Sequence, residues 1–218
     1  MPLAEPEIVW TIVVAGGSGA RFGRPKQYET IGDRRMIDRS VDVAASVSSG
    51  VVLVVPESDV AGEAADRCLV VAGGATRSDS VRAGLCAVPA EATIVCVHDA
   101  ARPFATAELY RAVIGAVTAG ADAVVPGVSV TDTIKVVDER GTVVSTPPRA
   151  SLVAVQTPQA FRATALREAH LGTADATDDA ALVEAVGRVV VVVAGEPDNR
   201  KVTLPEDLEW ARAKVAAQ

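Results

Sequence analysis

Short apolar runs alternate with amphipathic segments over the first 126 residues. The runs are rich in β-branched residues and only four to seven residues long, which is typical of buried strands. Strands that alternate with helices predict a mostly parallel sheet with helices on both faces. The predicted strands are residues 8–14, 51–55, 69–72, 93–97 and 121–126, and the predicted helices are 35–47, 57–67, 76–88 and 108–119. Thr76 and Asp79 have the spacing of a capping box at the start of the third helix.

The pattern changes after residue 126. From residue 127 to residue 148, β-branched and polar residues alternate around a turn at 138–141, which predicts a β-hairpin arm over 127–150. An arm with so little apolar mass is marginal alone, so we expect it to pack on another subunit in a homodimer. After the arm, the pattern predicts strands at 152–155 and 189–193, the latter buried, and helices at 163–170, 178–186 and 205–217.

Composition narrows the class of protein. With 218 residues and 49% hydrophobic content, the chain can bury one substantial core, and we expect a single domain over residues 1–218 that includes the arm. A formal net charge of -7 and an aromatic content of 3% argue against a nucleic-acid surface. Residues 1–7 lack the basic region of an export signal, and the longest apolar run near the end, 189–193, is far shorter than a membrane span of roughly 20 residues. We therefore expect a cytoplasmic protein without a nucleic-acid or membrane partner.

Three cysteines, Cys68, Cys86 and Cys96, lack C-x-x-C spacing and lie in apolar surroundings. Such residues favour buried, inert thiols in a reducing compartment over a metal site or a reactive site. We assign them no chemistry.

A glycine-rich loop at residues 15–28 follows the first predicted strand. Its glycines allow backbone N–H groups to approach phosphate oxygens, and it contains three cations and no acid in an acidic protein. The dinucleotide-binding pattern fails because Phe22 replaces the third glycine, and the Walker pattern fails because Lys26 follows Pro25. The alternative is a tight turn surrounded by solvated cations. The glycines are Gly16, Gly17 and Gly19, and the cations are Arg21, Arg24 and Lys26.

Three further motifs follow predicted strands, at residues 73–77, 98–102 and 198–201. Ligands collect outside the carboxyl ends of the strands in open α/β sheets, so the motifs predict one shared site. The Asp99 carboxylate can hold Mg²⁺ that bridges nucleotide phosphates, and Arg102 can bind a second phosphate. The alternative is an Asp–Arg pair that only organises its loop. For His98 we expect a buried, hydrogen-bonded imidazole without a catalytic role.

Eight segments, in order along the chain, closely resemble the 2-C-methyl-D-erythritol 4-phosphate cytidylyltransferase family. The resemblance implies a three-layer, Rossmann-like nucleotidyltransferase fold of the glycosyltransferase-A type, with a mostly parallel sheet and a protruding β-arm that is exchanged in a homodimer. In the implied reaction, CTP and methylerythritol phosphate give the cytidine diphosphate alcohol and pyrophosphate. The implied cofactor is Mg²⁺ or another divalent cation. The segments are 15–21, 25–28, 74 with 77–81, 98–103, 132–135, 156–159, 177–179, and 201–203 with 205–207.

The same resemblance implies roles for individual residues. Arg21, Lys26 and Lys201 would be catalytic cations at the α-phosphate, and Arg149 would act at the partner subunit's site. Asp99 and Asp198 would hold the metal. The implied contacts with CTP and the polyol phosphate are Ala15, Gly16, Gly17, Gly19, Gly74, Ser80, Asp99, Ala100, Arg102, Thr133 and Thr157.

Two other functions remain compatible with the motifs. A ribitol 5-phosphate cytidylyltransferase shares them and the arm, and the sequence separates the two acceptors poorly. A non-catalytic nucleotide-binding regulator is the other alternative, although a pure binder needs no such convergence of Arg21, Lys26, Asp99 and Lys201. For either acceptor, the phosphate is already ionised near neutral pH, so its attack on the α-phosphorus requires no general base.

Overall fold

A mixed eight-stranded sheet forms the centre of the computed structural model, which describes residues 6–17, 22, 25–63 and 66–217. The strands, including four short ones outside that sheet, are β1 (Val9–Val14), β2 (Thr30–Ile31), β3 (Arg34–Arg35), β4 (Gly50–Val55), β5 (Leu69–Ala72), β6 (Ile94–Asp99), β7 (Ala123–Ser129), β8 (Val136–Val137), β9 (Val143–Ser145), β10 (Val153–Val155), β11 (Gln159–Arg162) and β12 (Val190–Ala194). The helices are α1 (Met36–Ala45), α2 (Arg77–Ala87), α3 (Ala107–Thr118), α4 (Ala163–Ala169), α5 (Asp179–Ala185) and α6 (Pro205–Ala216).

Strand directions determine where the loops meet. β1 pairs in parallel with both β4 and β6, and β5 extends the same parallel set beyond β4. β11 runs antiparallel between β6 and β7, β10 continues along the same side of β7, and β12 pairs in parallel with the other side. The carboxyl ends of β1, β4 and β6 therefore lie side by side at one edge of the sheet.

Helices cover both faces of the sheet, as the alternation of strands and helices predicts. On one face, Val13 belongs to a buried cluster with Ile37 of α1 and Tyr110 of α3. On the other face, its neighbour Ile12 belongs to a cluster formed with α2, α4 and α5, which includes Leu85. Successive side chains of β1 thus enter opposite cores, because neighbouring residues of a strand point to opposite faces. The prediction of a three-layer α/β fold is confirmed.

The predicted arm is a β-hairpin formed by β8 and β9. Asp138 organises its turn, since one carboxylate oxygen accepts from the backbone N–H groups of Arg140 and Thr142. The side chains along the hairpin are exposed, including Val144 at 65%.

Other sequence predictions require correction. The α-helix predicted at 57–67 is wrong in its first part: Glu57–Gly62 is a 3-10 helix without buried residues, so no apolar face stabilises an α-helix there. β12 is not buried, because it pairs with β7 alone and leaves Val191 and Val192 41% and 48% exposed. Cys86 is exposed, since it lies off the buried face of α2.

Cys68 and Cys96 are buried, as expected, and burial raises the pKa of the Cys96 thiol to about 12. No helix within the described ranges has both the length and the apolar character needed to cross a bilayer. β11 has no counterpart among the predicted strands.

Candidate active site

A cavity of about 490 Å³ lies at the carboxyl edge of the parallel strands. The loop after β1, the loop that leads into α2, the end of β6 and a residue from the segment before α6 form its walls. Residues from all four predicted motifs are therefore brought together at this edge. Predicted site residues that line the cavity are Ala15, Gly16, Gly17, Lys26, Gly74, Ser80, Asp99, Ala100 and Lys201.

Backbone hydrogen bonds continue the sheet into these loops. The N–H of Ala15 donates to the carbonyl of Val54 at 2.8 Å, and the N–H of Ala100 donates to the carbonyl of Val14 at 3.0 Å. The N–H of Gly73 likewise donates to a carbonyl of β4 at 2.7 Å. The first residues of the three loops are consequently held in place by the sheet.

The amino end of α2 faces the cavity. Thr76 and Asp79 form the predicted capping box, in which the Thr76 Oγ1 accepts from the Asp79 N–H at 3.1 Å. The Ser80 hydroxyl donates to the carbonyl of Thr76 and accepts from the N–H of Gly74, so it fixes the approach to the helix. A helix amino terminus favours negative charge, so this wall of the cavity is suited to a phosphate.

Asp99 is held by two cations at the centre of the site. Its Oδ2 accepts from the Lys201 Nζ at 2.6 Å, and its Oδ1 accepts from the Arg77 Nε at 3.2 Å. Burial alone would raise the pKa of this carboxyl group, but the charges of Arg77 and Lys201 hold the pKa well below its usual range. Asp99 is therefore an ionised carboxylate at neutral pH and not a proton donor.

Arg77 connects this carboxylate to a second one outside the cavity lining. Its Nη1 donates to the Asp179 Oδ2 at 2.7 Å, and the other Asp179 oxygen lies 3.1 Å from the Nε2 of His170. Sequence reasoning assigned no role to either Arg77 or Asp179. The sequence did contain one signal for Asp179. Of the two adjacent aspartates, Asp178 is explained by its role as a helix cap, whereas Asp179 is not.

Thr157 and His98 form a chain of hydrogen bonds that begins at the backbone of Asp99. The Thr157 Oγ1 accepts from the Asp99 N–H at 3.0 Å and lies 3.2 Å from the His98 Nδ1. The opposite ring nitrogen of His98 lies 3.2 Å from the carbonyl of Arg102. Burial lowers the pKa of His98 to about 4, so the ring is neutral near pH 7, donates to Arg102 and accepts the Thr157 hydroxyl. The prediction of a buried, hydrogen-bonded imidazole is confirmed.

Three predicted residues at this edge lie outside the cavity lining, and one of them is Thr157, whose hydroxyl contacts Asp99 and His98 instead. The Arg102 guanidinium donates to the carbonyls of Asn199 and Val155, at 2.8 and 3.2 Å, and thereby fixes the loop before Lys201. The Asp198 carboxylate pairs with the Lys214 Nζ at 2.8 Å, so it is not placed with Asp99 in the cavity. Within the described ranges, no cluster of three or more acidic, histidine or cysteine side chains could hold a metal.

The two predicted arm residues also lie apart from the cavity of their own chain. Thr133 is exposed, and the exposed Arg149 donates to the carbonyl of Thr131 within the arm at 2.9 Å. Gly19 and Arg21 fall outside the described residues.

These features define the class of the protein. A glycine loop and a helix amino terminus suit phosphates, and Lys201 pairs with an ionised carboxylate beside them; these are the elements of a nucleotidyltransferase of the α/β class. Residues 9–217 match the family profile described as 2-C-methyl-D-erythritol 4-phosphate cytidylyltransferase, and the chain belongs to this family. It is accordingly an enzyme that transfers the cytidylyl group of CTP to 2-C-methyl-D-erythritol 4-phosphate, in the pathway to isoprenoid precursors.

Individual relatives agree along almost the whole chain. The 2-C-methyl-D-erythritol 4-phosphate cytidylyltransferase of Nocardia farcinica is 44% identical, over 93% of this chain and 92% of its own. The enzyme of the same name from Rhodococcus jostii is 46% identical, over 95% of each chain. Among solved structures, 4-diphosphocytidyl-2C-methyl-D-erythritol synthase from Anaerococcus prevotii superposes with a TM-score of 0.84 at 29% identity, over 96% of this chain and 99% of that one.

Proposed function

We propose that the cavity holds CTP with its triphosphate between the glycine loop and the amino end of α2. Lys26 and Lys201 then lie at the α-phosphate, where they stabilise the charge that develops during transfer. The observation that supports this assignment best is the ion pair of Lys201 with Asp99, because it fixes a cation on the wall of a cavity otherwise suited to phosphates.

In the proposed reaction, a phosphate oxygen of methylerythritol phosphate attacks the α-phosphorus of CTP. A new bond forms between that oxygen and the phosphorus, the bond from the α-phosphorus to the bridging oxygen breaks, and pyrophosphate leaves. No side chain has to remove a proton, since the acceptor phosphate is already ionised. The site agrees with this requirement, because the lowered pKa of Asp99 makes it a weak base and His98 is buried and hydrogen-bonded.

We also propose that Asp99 holds Mg²⁺ together with phosphates of the nucleotide. Mg²⁺ is commonly bound through one or two carboxylates plus substrate phosphates, and Asp99 is the one carboxylate of the cavity lining among the described residues. Each of its oxygens accepts one hydrogen bond and keeps a further acceptor site. Asp198 is not proposed as a ligand, because it pairs with Lys214. The bound metal would neutralise phosphate charge.

The proposed assembly is a homodimer in which the arm of each copy reaches the other copy's cavity. Thr133 and Arg149 are exposed on the arm and do not line the cavity of their own chain, which is the arrangement such an exchange requires. The arm also exposes Val136, Val137 and Val144, and a partner subunit would cover these apolar side chains. Because the three cysteines are free thiols, we place the enzyme in the cytoplasm.

The experiment measures pyrophosphate release from CTP and Mg²⁺, with 2-C-methyl-D-erythritol 4-phosphate and ribitol 5-phosphate offered separately. We expect release with the methylerythritol phosphate and none with the ribitol phosphate. Release with ribitol phosphate alone would contradict the acceptor assignment. Measurable CTP binding with no release on either acceptor would instead support a nucleotide-binding regulator.

A further inference from the structure

The described part of the chain contains a fully buried carboxylate that the proposed mechanism does not use. Asp179 has no exposed surface and is not part of the cavity lining, so it does not touch a substrate bound there. A buried carboxylate is costly unless it is paired, and its partners are the Arg77 Nη1 at 2.7 Å and the His170 Nε2 at 3.1 Å. The partner Arg77, in contrast, does line the cavity.

The start of α5 holds Asp179 in a fixed place. Asp178 caps this helix, since its Oδ1 accepts from the Ala181 N–H at 3.0 Å, while its Oδ2 accepts from the Gln159 Nε2 at 2.8 Å. Gln159 is itself buried and belongs to β11, in the middle of the sheet. The first residue of α5, Asp179, is thereby anchored to the core of the protein.

Arg77 connects Asp179 to the active site. Its Nη1 bonds to Asp179 and its Nε bonds to Asp99, so one rigid, planar guanidinium connects the two carboxylates. Lys201 holds the other oxygen of Asp99. The charges of the two cations, Arg77 and Lys201, balance those of the two carboxylates. If Asp179 were removed, Asp99 would be the one carboxylate of the two that still pairs with Arg77.

We propose that Asp179 is a positioning residue for cytidylyl transfer, which acts through Arg77 to hold Asp99 and, through Asp99, Lys201. This inference rests on the roles proposed above for Asp99 and Lys201. Because Asp179 does not reach the cavity, its loss should disturb the alignment of the reacting groups much more than it weakens CTP binding.

The first test is Asp179→Asn, which removes the charge but keeps the size of the side chain. The amide oxygen can still accept from Arg77, and the amide nitrogen can donate to the other tautomer of His170. We expect kcat to fall by about tenfold or more while the KM for CTP changes by less than about threefold. The matched control is Glu7→Gln, which removes a partly buried carboxylate 2.7 Å from Arg162. Its kcat should stay within about twofold of wild type.

A double-mutant cycle with Arg77→Lys tests whether Asp179 acts through Arg77. In the Arg77→Lys background, Asp179→Asn should lower kcat by no more than about twofold, because the connection is already broken. A wild-type kcat in Asp179→Asn, or effects of the two changes that multiply, would overturn the inference. If Asp179→Asn does not fold, Arg77→Lys is assayed alone, and an unchanged kcat in that single variant overturns the inference, because it breaks the connection from Asp179 to Asp99.

Failure of this inference differs from failure of the proposed function. An active wild-type enzyme that is insensitive to Asp179→Asn would overturn only the positioning role. A wild-type enzyme that releases no pyrophosphate in the same assay would overturn both.

Discussion

The Lys201 Nζ lies 2.6 Å from the Oδ2 of Asp99, although the two residues are 102 positions apart in the sequence. Asp99 ends β6, whereas Lys201 belongs to the segment that precedes α6. The two segments meet through a backbone hydrogen bond of 2.8 Å from the Val202 N–H to the carbonyl of Ala101. The position of the Lys201 ammonium group in the cavity therefore depends on how distant segments pack together, and not on one sequence motif.

Lys26 supplies the second lysine of the cavity lining. In Lys26→Ala we expect CTP binding to persist, because backbone groups and the amino end of α2 remain, while turnover falls by about 10²- to 10³-fold. Calorimetry measures the affinity for CTP, and pyrophosphate release measures turnover. Undiminished turnover in this variant would rule out the role given to Lys26.

Gly74 lies too close to α2 for a side chain. A Cβ at this position would come within 2.2 Å of the Asp79 Cβ and 3.1 Å of its backbone carbon, which would displace the capping box. Gly74→Ala should lower the free energy of unfolding by about 1–3 kcal/mol and weaken CTP binding. The control is Gly17→Ala, since a Cβ there meets nothing within 4 Å and should leave Tm unchanged. Equal Tm values for both variants would contradict the steric argument.

His98 makes stability depend on pH. Its pKa is lowered by burial to about 4, below the value of about 6.5 expected in the unfolded chain, so the unfolded state binds the proton first as the pH falls. The contribution of His98 is thus present above pH 6.5 and is lost as the pH falls toward 4. Between pH 7 and pH 5 the loss should be about 2 kcal/mol.

The matched variant for this effect is His98→Gln, whose amide can accept from Thr157 and donate to the carbonyl of Arg102. Urea unfolding at pH 7 and pH 5 should show a smaller pH difference in the variant than in the wild type. The same difference in both proteins would assign the pH dependence to other groups.

The proposed exchange of arms between subunits predicts complementation. Arg149→Ala and Lys201→Ala should each have low turnover alone, because one lacks an arm residue and the other a cavity residue. After the two variants are unfolded and refolded together at equal amounts, half of the dimers contain one of each, and each of these has one intact site. Turnover should then recover to about one quarter of the wild-type value. No recovery, despite mixed dimers, would place Arg149 outside the partner's site.

Local chemistry made much of the fold predictable from sequence. Thr76 and Asp79 identify the start of α2 because a capping box involves residues three positions apart. The arm was predictable as well, since its alternating pattern and its turn at Asp138 are short-range signals. Strands β1, β4 and β6 follow from continuous β-branched runs, which only a buried parallel strand accommodates well.

Features that depend on distant partners were not predictable. β11 is only four residues long, and its place in the sheet comes from pairing with β6 and β7. The link from Asp179 to Asp99 through Arg77 joins three separate elements, so no spacing in the sequence signals it. Asp198 and Arg102 adjoin the site in sequence, yet their side chains bond to Lys214 and to backbone carbonyls.

The most direct test of the account is the turnover of Lys201→Ala compared with that of Lys214→Ala. Each lysine pairs with an aspartate, but only Lys201 lines the cavity. With CTP, Mg²⁺ and 2-C-methyl-D-erythritol 4-phosphate, Lys201→Ala should lose about 10²- to 10³-fold in kcat, and Lys214→Ala should stay within about twofold of wild type. A Lys201→Ala enzyme with wild-type kcat would contradict the assignment of this cavity as the site of cytidylyl transfer.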